Sequence, residues 1–224
     1  MPNFKKITHV IYDLDGLLLD TEPLHAQVNQ MVANHYGKTI DPTLHCKVRG
    51  RKSHDSAQLL IQELDLSLSV EDFLKQKDAI IYKFYPHVLP LDGAVRLTQH
   101  LASHHVPQGV ATSSGTRPFT AKTQSHQEWF SLFQQIVRGD DPELKKGKPA
   151  PDIFLLVAQR LGAKPENCLV FEDALAGVSA AKAAGMSVIA VPASDMDQSL
   201  YQEADQILNS LSEFQPELWQ LPQF

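Results

Sequence analysis

The stretch His9-Val10-Ile11-Tyr12-Asp13-Leu14-Asp15-Gly16-Leu17-Leu18-Leu19-Asp20-Thr21-Glu22-Pro23 decides the fold. Val10 to Tyr12 is an apolar run rich in β-branched and aromatic side chains, which predicts a short buried strand. The run stops at two acids one residue apart, followed by glycine. At a strand end that spacing aims Asp13 and Asp15 toward one face, while Gly16 lets the backbone turn sharply beside them. Carboxyls with an ordinary pKa near ~3.9 both ionise at neutral pH, and two neighbouring anions coexist only beside a cation or with one pKa raised. The pattern asks for a metal. The plainer reading is that the aspartates cap a helix beginning near Pro23, and later segments decide between the two.

Working outward, Thr21 is expected as that helix's N-cap, with Leu24, Val28, Met31, Val32 and His35 on one face and Gly37 closing it. Ser53 opens a second helix carrying Ala57, Leu60, Ile61 and Leu64. Ser69 and Asp72 read as the capping box of a third, with Phe73, Ile80, Ile81 and Phe84 inward and Pro86 ending it. From Pro23 to about Pro86 the pattern is helical throughout.

After Leu89-Pro90-Leu91-Asp92-Gly93 the character changes. A helix with Ala94, Leu97 and Leu101 leads to a strand at Gly109 to Thr112, a helix near Thr116 to Gln127 and a strand at Gln135 to Arg138. A helix from Asp152 to Leu161 precedes the strand Cys168 to Phe171, an alanine-rich helix up to Gly185 precedes the strand Ser187 to Val191, and Gln206 to Asn209 suits an edge strand. Such alternation predicts an α/β fold, a parallel sheet with helices on both faces, into which the helical block is inserted. The expected division is a core of residues 1–19 and 90–224 with an all-helical domain at 20–89.

Bulk composition narrows the function. With 43% hydrophobic and 21% charged residues in a chain of 224, a globular protein with one large core is expected. The formal net charge of -6 argues against a nucleic-acid backbone as partner, which calls for clustered Lys and Arg in excess. Cys46 and Cys168 lack metal spacing and read as free thiols, which favours a cytoplasmic setting. Asp13 and Asp15 interrupt the first apolar stretch and spoil both a signal sequence and a membrane span.

Ligands of open α/β sheets bind beyond the carboxyl ends of the strands. Four sets fall there: Asp13/Asp15, Thr112-Ser113-Ser114, Lys145/Lys148 and Glu172/Asp173. Glu172 and Asp173 could by themselves cap the helix that follows, but carboxyls converging on one edge suit Mg2+, a hard cation completed by water and substrate phosphate. A consistent chemistry is covalent phosphoryl transfer: Asp13 attacks phosphorus, and Asp15 protonates the leaving oxygen and then deprotonates water, which asks for an upward-shifted pKa. The amides of Leu14 and Gly16, the Thr112 hydroxyl and the Lys148 ammonium would face the phosphoryl oxygens. A serine hydrolase built on Ser113 is disfavoured because Ala111 stands where the GxSxG elbow needs glycine.

Asp13-Leu14-Asp15-Gly16, Thr112, Lys148-Pro149 and Glu172-Asp173 together resemble, in order, the four signature motifs of the haloacid dehalogenase-like hydrolases. The resemblance implies a Rossmann-like core, a helical cap inserted after the first strand, Mg2+ held by Asp13, the Asp15 carbonyl and Asp173 with Glu172 close by, and, because Asp15 is present, phosphate rather than dehalogenase chemistry. Asp13 to His25 and Lys148 to Phe154 are similar to the β-phosphoglucomutase-like branch, where His25 falls at a cap histidine that restrains the acid/base aspartate. Gly50-Arg51-Lys52 and Leu17 to Glu22 instead resemble pseudouridine-5'-phosphatase-like enzymes, which favours a phosphatase of sugar or nucleotide phosphates over a phosphosugar mutase or a non-catalytic binder. The expected substrate contacts are Leu14, Gly16, Glu22, His25, Gly50, Arg51, Lys52, Ser113 and Ser114. The expected partner is a small phosphorylated metabolite bound by a monomer or weak dimer.

Overall fold

A computed structural model describes residues 5–48 and 53–224. In chain order the elements are β1 (His9–Tyr12), α1 (Glu22–Asn34), α2 (Pro42–Val48), α3 (Ser53–Glu63), α4 (Val70–Ile81), α5 (Ala94–Ser103), β2 (Gln108–Ala111), α6 (Thr116–Thr123), α7 (Gln127–Phe130), β3 (Gln135–Val137), α8 (Asp152–Leu161), β4 (Cys168–Glu172), α9 (Leu175–Ala183), β5 (Ser187–Ala190) and β6 (Gln206–Ile207). The described strands form one parallel sheet in the order β3-β2-β1-β4-β5-β6. The fold is thus the expected α/β type, with β1 in the middle.

Period-two alternation in β1 divides the core. Val10 and Tyr12 point into a layer shared with Leu97, Leu101, Trp129 and Phe171, whereas Ile11 points into the opposite layer with Phe154, Val157, Val170 and Val178. Register then fixes the site. Tyr12 lies opposite Val110 on one side and Phe171 on the other, so Asp13, Thr112 and Glu172 all leave the sheet at the same edge.

Between β1 and β2 the helices α1 to α4 carry a hydrophobic cluster of their own, comprising Val32, Leu44, Val48, Ala57, Leu60, Leu66 and Phe73. The two segments joining this block to the sheet layers run side by side. Asp20 N–H donates to the Leu89 carbonyl at 2.9 Å and Leu91 N–H to the Leu18 carbonyl at 3.0 Å.

Three local readings are corrected. Thr21 is not a side-chain N-cap: its hydroxyl donates to Asp15 Oδ1 at 2.8 Å instead. Helix α2 is too short to show periodicity, and it starts because Asp41 Oδ1 accepts the Leu44 N–H at 2.8 Å with Pro42 in the first turn. The helix expected from Thr116 to Gln127 ends at Thr123 and resumes, after a 3-10 turn at Gln124–His126, as α7. The capping box does form, with the Ser69 hydroxyl accepting the Asp72 N–H at 3.0 Å. Cys168 is buried and free, while the Cys46 side chain lies outside what is described. Among the described residues no helix is long and apolar enough to cross a membrane.

Phe73 is 1% exposed and anchors α4 within the helical cluster. Phe73→Ala is expected to cost about 3–5 kcal/mol through lost transfer energy and a residual cavity. A urea melt followed by circular dichroism checks this through a lowered midpoint.

Candidate active site

The strand-end acids meet around one ammonium. Lys148, in the loop before α8, donates to Asp13 Oδ1 and Glu172 Oε1, both at 2.5 Å, and to the Ala111 carbonyl at 3.0 Å. Its three N–H donors are then all engaged. Burial would lower the Lys148 pKa, but the Asp13 and Glu172 carboxylates reverse the effect and hold it above the ordinary lysine value. Lys148 is therefore a fixed cation.

Asp13, Glu172 and Asp173 each offer an oxygen, and these atoms lie within 4.8 Å of one another. Burial pushes Asp13 up to about 7, with Lys148 opposing and the negative charges of Glu172 and Asp15 adding to the rise. Burial also raises Asp173 well above the carboxylate range, helped by Glu172, Asp13 and Glu22. One ammonium does not balance this much negative charge, and the donors are all hard oxygens, so the set fits a divalent cation such as Mg2+. Glu172 is the most committed of the three: Oε1 takes Lys148 and Oε2 accepts the Ala174 N–H at 3.0 Å. Glu172 thus reaches the residue just before α9 with one oxygen while the same side chain belongs to the acidic set.

Two glycines make room. Gly16 sits at φ +82, and a Cβ there would collide with Asp173 Oδ2 and come within 3.4 Å of Glu22 Cγ. A Cβ on Gly177 would fall on the Glu172 carboxylate itself.

Asp15 occupies separate surroundings. Oδ1 accepts from the Thr21 hydroxyl at 2.8 Å and from Lys122 Nζ at 2.6 Å, and Oδ2 accepts from the Ser114 hydroxyl at 2.8 Å. Burial works to raise this carboxyl, yet the Lys122 ammonium and the hydrogen bonds outweigh it and hold Asp15 at about 2. The upward shift expected from the sequence is thus overturned in this arrangement, because a lysine the motif did not include lies against it. A second correction concerns Gly16, whose N–H donates to the Leu19 carbonyl at 2.9 Å and so is not open to a phosphoryl oxygen. No protein group takes the Leu14 N–H among the described residues.

Thr112 is fully buried at the end of β2, and its Oγ1 accepts the Ser114 N–H at 3.0 Å, leaving the hydroxyl proton to donate. Ser113 and Lys145 are exposed and make no hydrogen bond to the cluster among the described residues, whereas Ser114 does. Glu22 lies beside Gly16, close enough for its charge to act on both Asp173 and Lys77. His25 meets the Tyr85 ring edge-on at 6.2 Å. Burial, with the Lys77 and Lys122 ammoniums nearby, lowers its imidazole to about 3, so His25 is neutral. No hydrogen bond joins His25 to Asp15 among the described residues. The expected contacts Gly50, Arg51 and Lys52 lie outside the described residues.

Residues 10–191 match the family described as haloacid dehalogenase-like hydrolase. The chain belongs to that family. It is 48% identical over 223 residues to (DL)-glycerol-3-phosphatase 1, mitochondrial, of Arabidopsis thaliana, with 97% of this chain and 75% of that protein covered. It is 42% identical over 223 residues to the Drosophila melanogaster protein named "Probable pseudouridine-5'-phosphatase", with 98% and 96% covered. Among solved structures, a HAD hydrolase, family IA, variant 3, from Entamoeba histolytica superposes with a TM-score of 0.82 at 26% identity, covering 96% of this chain and 98% of that one.

This haloacid dehalogenase-like hydrolase also places at the site two lysines that sequence reasoning missed. Lys122 is 2% exposed on α6, next to Phe119 and Thr123 on the buried face. Lys77 is 7% exposed on α4, between Phe73 and Ile81 in an i, i+4, i+8 stripe. Burial lowers Lys77 to about 8, with Glu22 opposing and Lys122 adding to the fall. A lysine on the buried face of a helix was the available signal in both cases, within an otherwise apolar stripe for Lys77.

Gly177→Ala is expected to displace the Glu172 carboxylate from Lys148, because the new methyl would occupy its place. Disrupting a buried ion pair costs about 3–5 kcal/mol. Calorimetry should therefore show a lowered melting temperature, and a crystal structure of the variant should show Glu172 rotated away.

Proposed function

We propose that this protein is a phosphatase that hydrolyses a small phosphate monoester through an aspartyl-phosphate intermediate, with Mg2+ as cofactor. The observation that carries the reading is Asp13, a carboxylate at the central strand end, pinned by Lys148 beside two further acids. The family and the phosphatase names of its relatives support the same chemistry.

In this reading one Asp13 oxygen attacks phosphorus while the ester oxygen departs and takes a proton from Asp15. Water then attacks the same phosphorus, gives a proton to Asp15, and the bond to Asp13 breaks. Because Asp15 rests as an ion pair with Lys122, it must gain a proton before it serves as acid. The Thr112 hydroxyl and the Leu14 N–H face the phosphoryl oxygens, and the fixed positive charge of Lys148 beside Asp13 opposes their negative charge. Asp13, Asp173 and the Asp15 carbonyl would hold Mg2+, with Glu172 alongside. When bound, the ion offsets repulsion between the carboxylates and the phosphoryl group.

Residues 20–89 are assigned as a cap over a core of 1–19 and 90–224, so the leaving group meets the cap side of the site. That side holds Glu22, His25, Lys77 and Tyr85, and no described group hydrogen-bonds or ion-pairs with the Lys77 ammonium. A buried cation of this kind suits a hydroxyl-rich leaving group. Glycerol 3-phosphate and pseudouridine 5'-phosphate are the first substrates to test.

Purified protein should release inorganic phosphate from p-nitrophenyl phosphate and from at least one of these substrates, only with Mg2+ present. Asp13→Asn should abolish release, and activity that survives this substitution excludes Asp13 as nucleophile. Hexose phosphates included in the panel separate a mutase, which would interconvert isomers without freeing phosphate. Lys77→Met should raise KM for the preferred substrate about ten- to a hundredfold and leave kcat within about threefold, as for a lost charged hydrogen bond in the ground state.

A further inference from the structure

Lys122 touches no reacting atom in the chemistry described above, yet it is among the most deeply buried charged groups of the described residues, at 2% exposure. Burying an ammonium costs several kcal/mol unless its partners repay the loss of water. A leucine or methionine on the same face of α6, beside Phe119, would fill the space without that cost. The lysine is therefore there for what its nitrogen touches.

Those contacts are specific. One donor goes to Asp15 Oδ1 at 2.6 Å, a second to the Ser114 hydroxyl at 2.8 Å, and the ammonium lies 5.0 Å from the centre of the Tyr85 ring. Ser114 in turn donates to Asp15 Oδ2 at 2.8 Å. Lys122 thus reaches one oxygen of Asp15 directly and the other through a serine strut, closing a ring of hydrogen bonds around the carboxylate. A single donor leaves a carboxylate free to rotate about its Cβ–Cγ bond, whereas donors held on both oxygens fix its plane. Thr21 adds a second donor to Oδ1 from the start of α1. His25, to which family resemblance gives the task of restraining this aspartate, makes no hydrogen bond to it among the described residues.

We infer that Lys122 is a positioning residue: with Ser114 it orients the Asp15 carboxyl toward the leaving-group oxygen. The inference rests on the acid/base reading of Asp15 given above. Its two hydrogen bonds go to Asp15 and to the serine that also holds Asp15, so Lys122 acts through Asp15. Lys77 differs, since its ammonium has no such ring around it. Proton transfer from a positioned side chain contributes about 10²- to 10⁴-fold, and a displacement of about 1 Å is enough to lose about 10²-fold.

The test is a series of aryl phosphates of similar size but graded leaving-group basicity, from p-nitrophenyl to phenyl phosphate, read as kcat/KM with Mg2+. A nitrophenolate departs with little help, whereas a phenolate gains from a proton. Lys122→Met should steepen the dependence on leaving-group basicity, losing at least about tenfold more on phenyl than on p-nitrophenyl phosphate. Lys122→Gln, which keeps an N–H donor, should recover part of that loss. In an Asp15→Asn background Lys122→Met should cost nothing further, because the two act as one unit. Should Lys122→Met fail to fold, Ser114→Ala removes the strut and is expected to steepen the series in the same direction. An equal loss on every substrate in Lys122→Met or Ser114→Ala, with a steepened series in Asp15→Asn, overturns the inference and leaves the acid/base role of Asp15 standing. A flat loss in Asp15→Asn overturns that role, and with it the inference.

Discussion

The double ion pair of Lys148 with Asp13 and Glu172 is the contact on which the remainder of the site depends. Four acids from three segments, Asp13, Glu22 and the neighbours Glu172 and Asp173, press toward one small volume, and burial raises the pKa of two of them. Without a fixed cation among them the cheapest response would be protonation or displacement. Parallel strand order brings the acids to the same edge, since β1 has β2 and β4 as neighbours and all run in one direction. Bare glycine at positions 16 and 177 lets side chains come as close as the charges require.

Three buried lysines surround the cleft, and they differ in how completely their donors are used. Lys148 has two carboxylates and a carbonyl, Lys122 has a carboxylate, a hydroxyl and an aromatic face, and Lys77 has only the longer-range field of Glu22 and Asp78. Saturation implies rigidity. The first two are held in place by the sheet layer, and the third, on the inserted helices, keeps capacity for a ligand. In the proposed reading the gradient runs from the phosphoryl end of the site toward the leaving-group end.

Much of this was legible in the sequence because strand-end acids interrupt apolar runs. Asp13, Glu172 and Asp173 each follow a short β-branched or aromatic stretch, and a parallel sheet leaves no other edge for them. The roles of Lys122 and Lys77 were not legible in the same way. Each sits on the buried face of a helix, Lys77 between Phe73 and Ile81 and Lys122 beside Phe119 and Thr123, so periodicity absorbs it as a tolerated exception. What distinguishes them is a neighbour more than a hundred residues away in the case of Lys122 and Asp15, which no local window contains. Thr21 misled for a related reason: a threonine before Glu22-Pro23 has the pattern of an N-cap, but its single hydroxyl proton goes to a stronger acceptor, the Asp15 carboxylate.

Asp15 therefore differs from the other site carboxylates in what holds it. Asp13 and Glu172 are fixed through Lys148, within the sheet edge itself. Asp15 takes its partners from three places: the exit toward the inserted helices at Thr21, the loop after β2 at Ser114, and the buried face of α6 at Lys122. The exit segment is in turn paired with the returning one, through Asp20 to Leu89 and Leu91 to Leu18. A shift of the helical block about these paired segments would reach Asp15 through the Thr21 hydroxyl, while the contacts from Ser114 and Lys122 stay with the core. The proposed nucleophile, Asp13, takes its hydrogen bond from the sheet side, at Lys148, and the group assigned to proton transfer stands where the two parts of the chain meet.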